Sequence, residues 1–305
     1  MSLLAQAVDV NVSVDDVYDC LGIGAVYVMS EEWWDPSVIE LHPRMHVGFI
    51  PELHKFRQQQ LIRLRPLGID MWSTWYRAGD STILRTVSHA LTAGQCVGIL
   101  GMIGVMLVSV TTVEGTLIIG RTATGDIAMI DINQMRAPAG IECVFATTYT
   151  PSLRNHVDEL RWIALLLRGL PTIAFDTPRH PLRDWQVWHI GADALAVAAF
   201  SAQTAAPLAI VSDNVARIVH AYMWRIDVLQ QQLVRINTLF RSSAVRNAVD
   251  ACDDARFFMQ FVMQRYPLTV ERRALTLPEG ALIAETCHDT RQVLWSIADM
   301  LNTVE

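Results

Sequence analysis

The sequence predicts an α+β protein, with an N-terminal lobe carrying an antiparallel β-meander and a C-terminal helical lobe. Two patterns and a length carry that expectation. Between Val105 and Tyr149 four short β-rich runs, "VMLVSVTTV", "TLIIGR", "DIAMIDI" and "IECVFATTY", are set apart by Glu114–Gly115, by a turn ending in Gly125 and by the Pro138–Gly140 turn, which are hairpin-type signals. From Val215 to Phe240 the apolar residues Val215, Val219, Tyr222, Ile226, Leu229, Leu233, Ile236 and Phe240 alternate spacings of four and three, a heptad seam that suits one long helix. At 305 residues the chain is long enough for two lobes with their own cores. The expected division is 1–212 for the α+β lobe and 213–305 for the helical lobe.

Taken in order, "SVDDVYDCLG" reads as a short helix, because a serine cap and early acids precede it and Gly22 ends it. "GAVYVMS" reads as a strand. The tract from Trp33 to Tyr76, punctuated by Pro36, Pro43, Pro51 and Pro66, reads as irregular structure with brief strands and one polar helix near "ELHKFRQQQLIRL". From Thr86 to Val113 there is no formal charge, a length that a membrane span would need. Polar residues from Ser88 to Thr112 interrupt it, and flanking aromatic belts are absent. Gly98, Gly101 and Gly104 match neither phosphate-loop fingerprint. The hairpins downstream make Gly94–Val110 the buried approach to a sheet.

Beyond the meander, "PSLRNHVDELRWIALLLRGLP" is expected to be an amphipathic helix with Leu153, Val157, Leu160, Ile163, Ala164 and Leu167 on its apolar face and Gly169 as its stop. "TIAFDT" and "LAIVSD" read as strands flanking a buried alanine-rich helix. After the seam come "SAVRNAVDACDDARFFMQFVMQRY", ending before Pro267, and "ALIAETCHDTRQVLWSIADMLNTV". The seam fits either internal packing or a partner helix, with Arg217, Arg225, Asp227 and Arg235 as charged flanks.

Composition bounds the function. The net charge of −7, the 51% hydrophobic and 18% charged fractions leave little charged surface and no broad basic field, which argues against nucleic acid as a partner. Apolar surface in excess suits contact with other protein subunits, as a homo- or hetero-oligomer. Lys55 is the sole lysine beside 23 arginines. Gene base composition produces such a skew, as does selection for arginine at desolvated interfaces. Five widely spaced cysteines without a C-x-x-C pair read as reduced core residues of an intracellular protein. The N-terminus has no basic n-region of a signal peptide.

Candidate chemistry is sparse. The 176–189 tract gathers Asp176, His180, Asp184 and His189, residue types that could form a carboxylate–histidine acid/base pair. The same tract reads equally as a loop anchored by Trp185 and Trp188. "SEEWWDP" places Trp33 and Trp34 among Glu31, Glu32 and Asp35, an acidic-aromatic contact patch. Glu40, His42, His46 and His54 fit zinc only on one helix face, which Pro43 opposes. No metal or other cofactor is expected. The function expected is therefore a non-enzymatic assembly protein forming an obligate oligomer, of the kind found in viral capsids, teguments or scaffolds and then located in the virion. The alternatives are an intracellular hydrolase or transferase using the 176–189 residues, and an adaptor or immunity-type binding module. Expected contact residues are Trp33, Trp34, Trp185, Trp188, Tyr222, Ile226, Leu229, Leu233 and Ile236.

Overall fold

The structure, a computed structural model, describes residues 12–26, 28–30, 51–77, 79–101, 106–122, 124–134, 140–176, 185–196, 198–200, 202 and 212–304. These fold as α+β, in two compact units. The first is Met1–Leu21 with His42–Arg154, and the second is Gly22–Leu41 with Asn155–Glu305. Packing thus divides the chain at Arg154/Asn155 and not near Ser212, because the helix that follows Asn155 packs along the last helix of the chain.

The first unit opens with α1 (Val14–Leu21). The Ser13 hydroxyl accepts from the Asp16 backbone N–H at 3.0 Å and donates to the Asp16 carboxylate at 2.6 Å, the local cap that the sequence signals. Helix α2 (Pro51–Ile62) follows. Strand β2 (Ile69–Arg77) is nine residues long, where brief strands were expected. Its inward residues Ile69, Met71 and Ser73 alternate with half-buried ones, so it is a strand covered on one face.

Helix α3 (Thr82–Thr92), which overlaps the start of the uncharged stretch from Thr86, is an element that the sequence pattern does not predict. Asp80 Oδ1 accepts from both the Thr82 backbone N–H, at 2.9 Å, and the Thr82 hydroxyl, at 2.6 Å. Ile83, Val87 and Ala90 then point one stripe into the core. Strands β3 (Cys96–Gly101), β4 (Met106–Leu107), β5 (Ser109–Glu114), β6 (Leu117–Arg121), β7 (Ile127–Asp131) and β8 (Gly140–Thr148) complete the unit.

Only three of the four β-rich runs make the meander: β5, β6 and β7 form one antiparallel sheet in that order. Its turns carry Gly115 at φ 60° and Gly125 at φ 88°, a region that favours glycine. The fourth run, β8, sits instead between β2 and β3 in a second antiparallel sheet ordered β2-β8-β3-β4. All of Ile141–Ala146 is buried, so β8 is covered on both faces and must be a central strand. Val97, Ile99, Leu107 and Val110 join Ile83, Val87, Ile118, Ile130 and Phe145 in one apolar cluster. Within Gly94–Val110, expected as buried core, Val97–Ile99, Leu107 and Val110 are buried, whereas Gly94 is exposed and Gln95, Cys96, Val108 and Ser109 are half-buried. Trp72 stacks on Phe145 at 5.6 Å between ring centroids.

In the second unit, a 3-10 turn Ile23–Ala25 occupies the first part of the run expected as one strand, and β1 is Val28–Ser30. Strands β9 (Leu170–Asp176) and β10 (Trp185–Ile190) pair with it in the order β1-β10-β9. Helix α4 (His156–Arg168) starts three residues after Leu153, which is fully exposed in coil and so leaves the expected apolar face. The Asn155 side chain caps it by accepting from the Val157 and Asp158 backbone N–H groups. Residues 193–196 and 198–200 are helical, with Ala194, Leu195 and Ala198 buried. Three long helices close the chain: α5 (Ser212–Phe240), α6 (Ser243–Arg265) and α7 (Leu277–Asn302). Ser212 and Asp213, expected as the end of a strand, begin α5.

The heptad seam is internal. Val215, Val219, Tyr222, Ile226, Leu229, Leu233 and Ile236 are all buried within this unit, and only the last member, Phe240, is exposed. Part of the seam lies on the 3-10 turn: a Cβ on Gly24 would sit 2.7 Å from the Leu229 Cα, so only glycine lets the turn approach α5 this closely. Arg225, expected as a charged flank, is buried and donates to the Ile23 carbonyl at 2.9 Å. The five seam residues expected to contact a partner, Tyr222, Ile226, Leu229, Leu233 and Ile236, are thus covered by the chain's own helices.

Candidate docking face on the helical unit

The face in question is made by α6 and α7. In α6 the buried residues Val245, Ala248, Cys252, Ala255, Met259 and Val262 recur every three or four positions, which places them on one stripe of the helix. The stripe is small-sided at Ala248, Cys252 and Ala255, so the neighbouring helices α5 and α7 pack against it at close range. Burial pushes the Cys252 and Cys287 thiols up to about 12, which keeps both protonated and unreactive at neutral pH. All five cysteines are free thiols.

Position and tilt of α6 are fixed by charge as well as packing. The Arg256 guanidinium reaches across to α5, donating from Nε and Nη2 to Asp227 Oδ1 at 2.9 and 2.8 Å and from Nη1 to Asp253 Oδ1 at 2.5 Å. Gln230 Nε2 donates to the same Asp253 oxygen at 2.9 Å. Helix α7 begins at a capping box: Glu279 accepts from the Thr276 backbone N–H and hydroxyl, both at 2.9 Å. The Arg273 guanidinium adds a two-pronged contact to the same carboxylate at 2.9 and 2.6 Å. Together with the Thr276 contacts it holds the Glu279 carboxyl well below the usual carboxylate range. Tyr266 lies beside it, and burial together with that carboxylate pushes its phenol up to about 12. Ser212 ties α5 to the same corner by accepting from the Arg273 backbone N–H at 3.0 Å. Further along α7, Arg291 stacks on Trp295 at 3.8 Å and donates to Asp193 at 2.8 Å.

With one stripe of α6 buried, the opposite stripe faces solvent, and it is aromatic. Phe257 is 70% exposed and Phe261 is 55% exposed. They are one turn apart on a single face. Phe258 meets Phe257 edge-on at 6.0 Å. Beside them a groove of about 280 Å³ runs between the helices, lined by these three phenylalanines and, on α7, by Leu282, Glu285, Thr286 and Asp289. Large apolar side chains left in water at adjacent turns of a rigid helix mark contact sites. Buried cores need no such residues on the outer stripe. The sequence signal was present in "ARFFMQFVMQR": once Ala255, Met259 and Val262 are assigned inward, Phe257 and Phe261 must point outward.

No family model matches the chain, and no curated protein matches it.

Of the candidate acid/base residues, Asp176 is the last residue of β9 and its Cα pairs with Trp185, the first of β10, while His189 pairs with Met29 of β1. The segment Trp185–Ile190, expected as part of a loop, is therefore a strand, with Trp188 opposite Ile173 on one side and Ser30 on the other. His180, Asp184, Trp33, Trp34, His42 and His46 lie outside the described residues. Among the described residues no three His, Cys, Asp or Glu side chains gather as a metal site, and no helix is long and apolar enough to cross a membrane.

Proposed function

We propose that this protein is a non-catalytic assembly component that works by docking another protein subunit on the α6–α7 face. One observation carries the reading: Phe257 and Phe261 stand in solvent at adjacent turns of a helix whose other side is locked in place. Aromatic side chains on a rigid support provide contact area with little entropy to lose on binding, and such residues dominate the energy of protein interfaces. The adjoining groove is of a size to take one large apolar side chain from a partner. Its rim is polar, with Gln260, Gln264, Glu285 and Asp289, which matches the usual layout of an apolar centre with a polar surround.

The test is a pair of exposed substitutions, Phe257→Ser with Phe261→Ser, in the full-length protein. The assembled mass by light scattering is expected to fall while helical circular dichroism stays unchanged. Equal masses for the variant and the parent would overturn the reading.

A further inference from the structure

We propose that the subunit docked on this face is a second copy of the same chain, its α6 packed antiparallel to the first about a two-fold axis near residue 259; the inference rests on the docking reading above. A two-fold interface requires a surface that complements itself when reversed. The exposed stripe of α6 has this property. Around the aromatic pair Phe257 and Phe261, the exposed charged residues of α6 besides Asp253 are Arg246, Asp250 and Asp254 on the N-terminal side and Arg265 at the C-terminal end; of these, Asp254 and Arg265 flank the pair most nearly. Reversal about residue 259 brings Phe257 opposite the other copy's Phe261 and the reverse, so four rings share one contact. The same operation sets Asp254 opposite position 264, one residue or about 1.5 Å from Arg265, well within the sweep of an arginine side chain.

The charges that such a pairing needs are open. Asp253 is already held by Arg256 and Gln230, whereas Asp250, Asp254 and Arg265 are exposed and make no ion pair among the described residues. Asp254 and Arg265 also lie on the same lateral side of the aromatic pair, by the 100° step of the helix. That is the side-to-side match an antiparallel two-fold pairing demands. The reversed helices overlap from 253 to 265, a contact of about 20 Å. A foreign partner would need only a basic segment for Glu285 and Asp289. An acid on one side of an aromatic centre and a base on the other, within one residue of the same distance from it, is what a copy of the same helix provides.

The test uses charge reversal in the full-length protein, read by sedimentation equilibrium. Asp254→Arg alone and Arg265→Asp alone should each weaken dimerisation by about tenfold or more, because each sets like charges opposite one another at two symmetric places. Mixing the two single variants in equal amounts should restore a dimer of wild-type affinity, since a mixed pair has complementary charges at both places. The double variant should also self-associate as the wild type does. Single variants that dimerise like the wild type would overturn the two-fold pairing. If Phe257→Ser with Phe261→Ser nevertheless dissolves the assembly, the docking face stands and only the choice of register falls. A monomeric wild type that binds a different protein through Phe257 and Phe261 would overturn the second-copy inference alone.

Discussion

Replacing Glu279 with Gln perturbs a single carboxylate that serves two partners at the start of α7. In the parent it accepts from the Thr276 backbone N–H and hydroxyl and from two nitrogens of Arg273. The amide keeps one acceptor oxygen but turns the other into a donor that faces the guanidinium. Gln can keep the capping-box bond but not the charge on its acceptor oxygen, and exchanging charge-assisted for neutral hydrogen bonds from Thr276 costs about 1 kcal/mol of stability. The Arg273 side of the contact is solvent-screened and is left out of that figure. The pH dependence follows from the direction of the shift. The folded-state carboxyl is lowered from 4.5, so its contribution is fully present above 4.5 and is lost as pH falls towards the folded value. Gln does not titrate, so the gap between parent and variant should be constant from pH 7 to 5. It should close by about 1 kcal/mol on going one unit below 4.5. Urea titrations of both proteins at pH 7 and pH 3.5, followed by helical circular dichroism, measure it. A gap that is the same at both values, or absent at pH 7, would refute the reasoning.

Leu233→Ala should cost roughly 2–5 kcal/mol in the same assay, since Leu233 is fully buried and a cavity would remain in the seam; a cost below 1 would contradict an internal seam. Gly24→Ala should destabilise the second unit by about 1–3 kcal/mol, because its Cβ would strike the backbone of Leu229. That is checked by thermal melting, and a neutral result would show that the turn does not press on α5. In thiol labelling of the native protein at pH 8, Cys96, which is only half-buried, should react first. Cys252 and Cys287, held near 12 by burial, should react only on unfolding, as peptide mapping of the labelled sites will show. Ile127→Thr with Met129→Thr, on the outward side of β7, should change stability by no more than about 0.5 kcal/mol.

Elements whose reason is local were legible in the sequence. Ser13 before its acids and the Glu114–Gly115 hairpin act within four residues of the chain, and each gave the element found, whereas the sequence pattern starts α4 at Pro151 because the Asn155 cap is not recognised. The seam from Val215 to Ile236 was legible because a repeat of that length has one geometric solution. What failed depended on distant partners. Strand β8 looked like the fourth strand of the meander, but its place between β2 and β3 is set by burial on both faces, a property of the tertiary fold. Helix α3 was hidden because its apolar stripe merged with the uncharged run that follows. Its signal was Asp80, two residues ahead of Thr82. The outward aromatic pair of α6 was not legible for a related reason: which side of "ARFFMQFVMQR" faces solvent depends on knowing that Ala255, Met259 and Val262 are buried. Trp33, Trp34, Trp185 and Trp188 were weighed as contact residues; Trp33 and Trp34 and the side chains of Trp185 and Trp188 lie outside the described residues, whereas Phe257 and Phe261 are a solvent-facing aromatic pair.

Hydroxyl-radical footprinting across a range of protein concentrations tests the docking face most directly, since it reads the two side chains on which the account depends. At concentrations where the protein assembles, Phe257 and Phe261 should be shielded from oxidation and should become reactive on dilution. Met129, exposed on β7, should be oxidised throughout. Phe257 and Phe261 that oxidise at the same rate in concentrated and dilute protein, while the mass shows assembly, would contradict it.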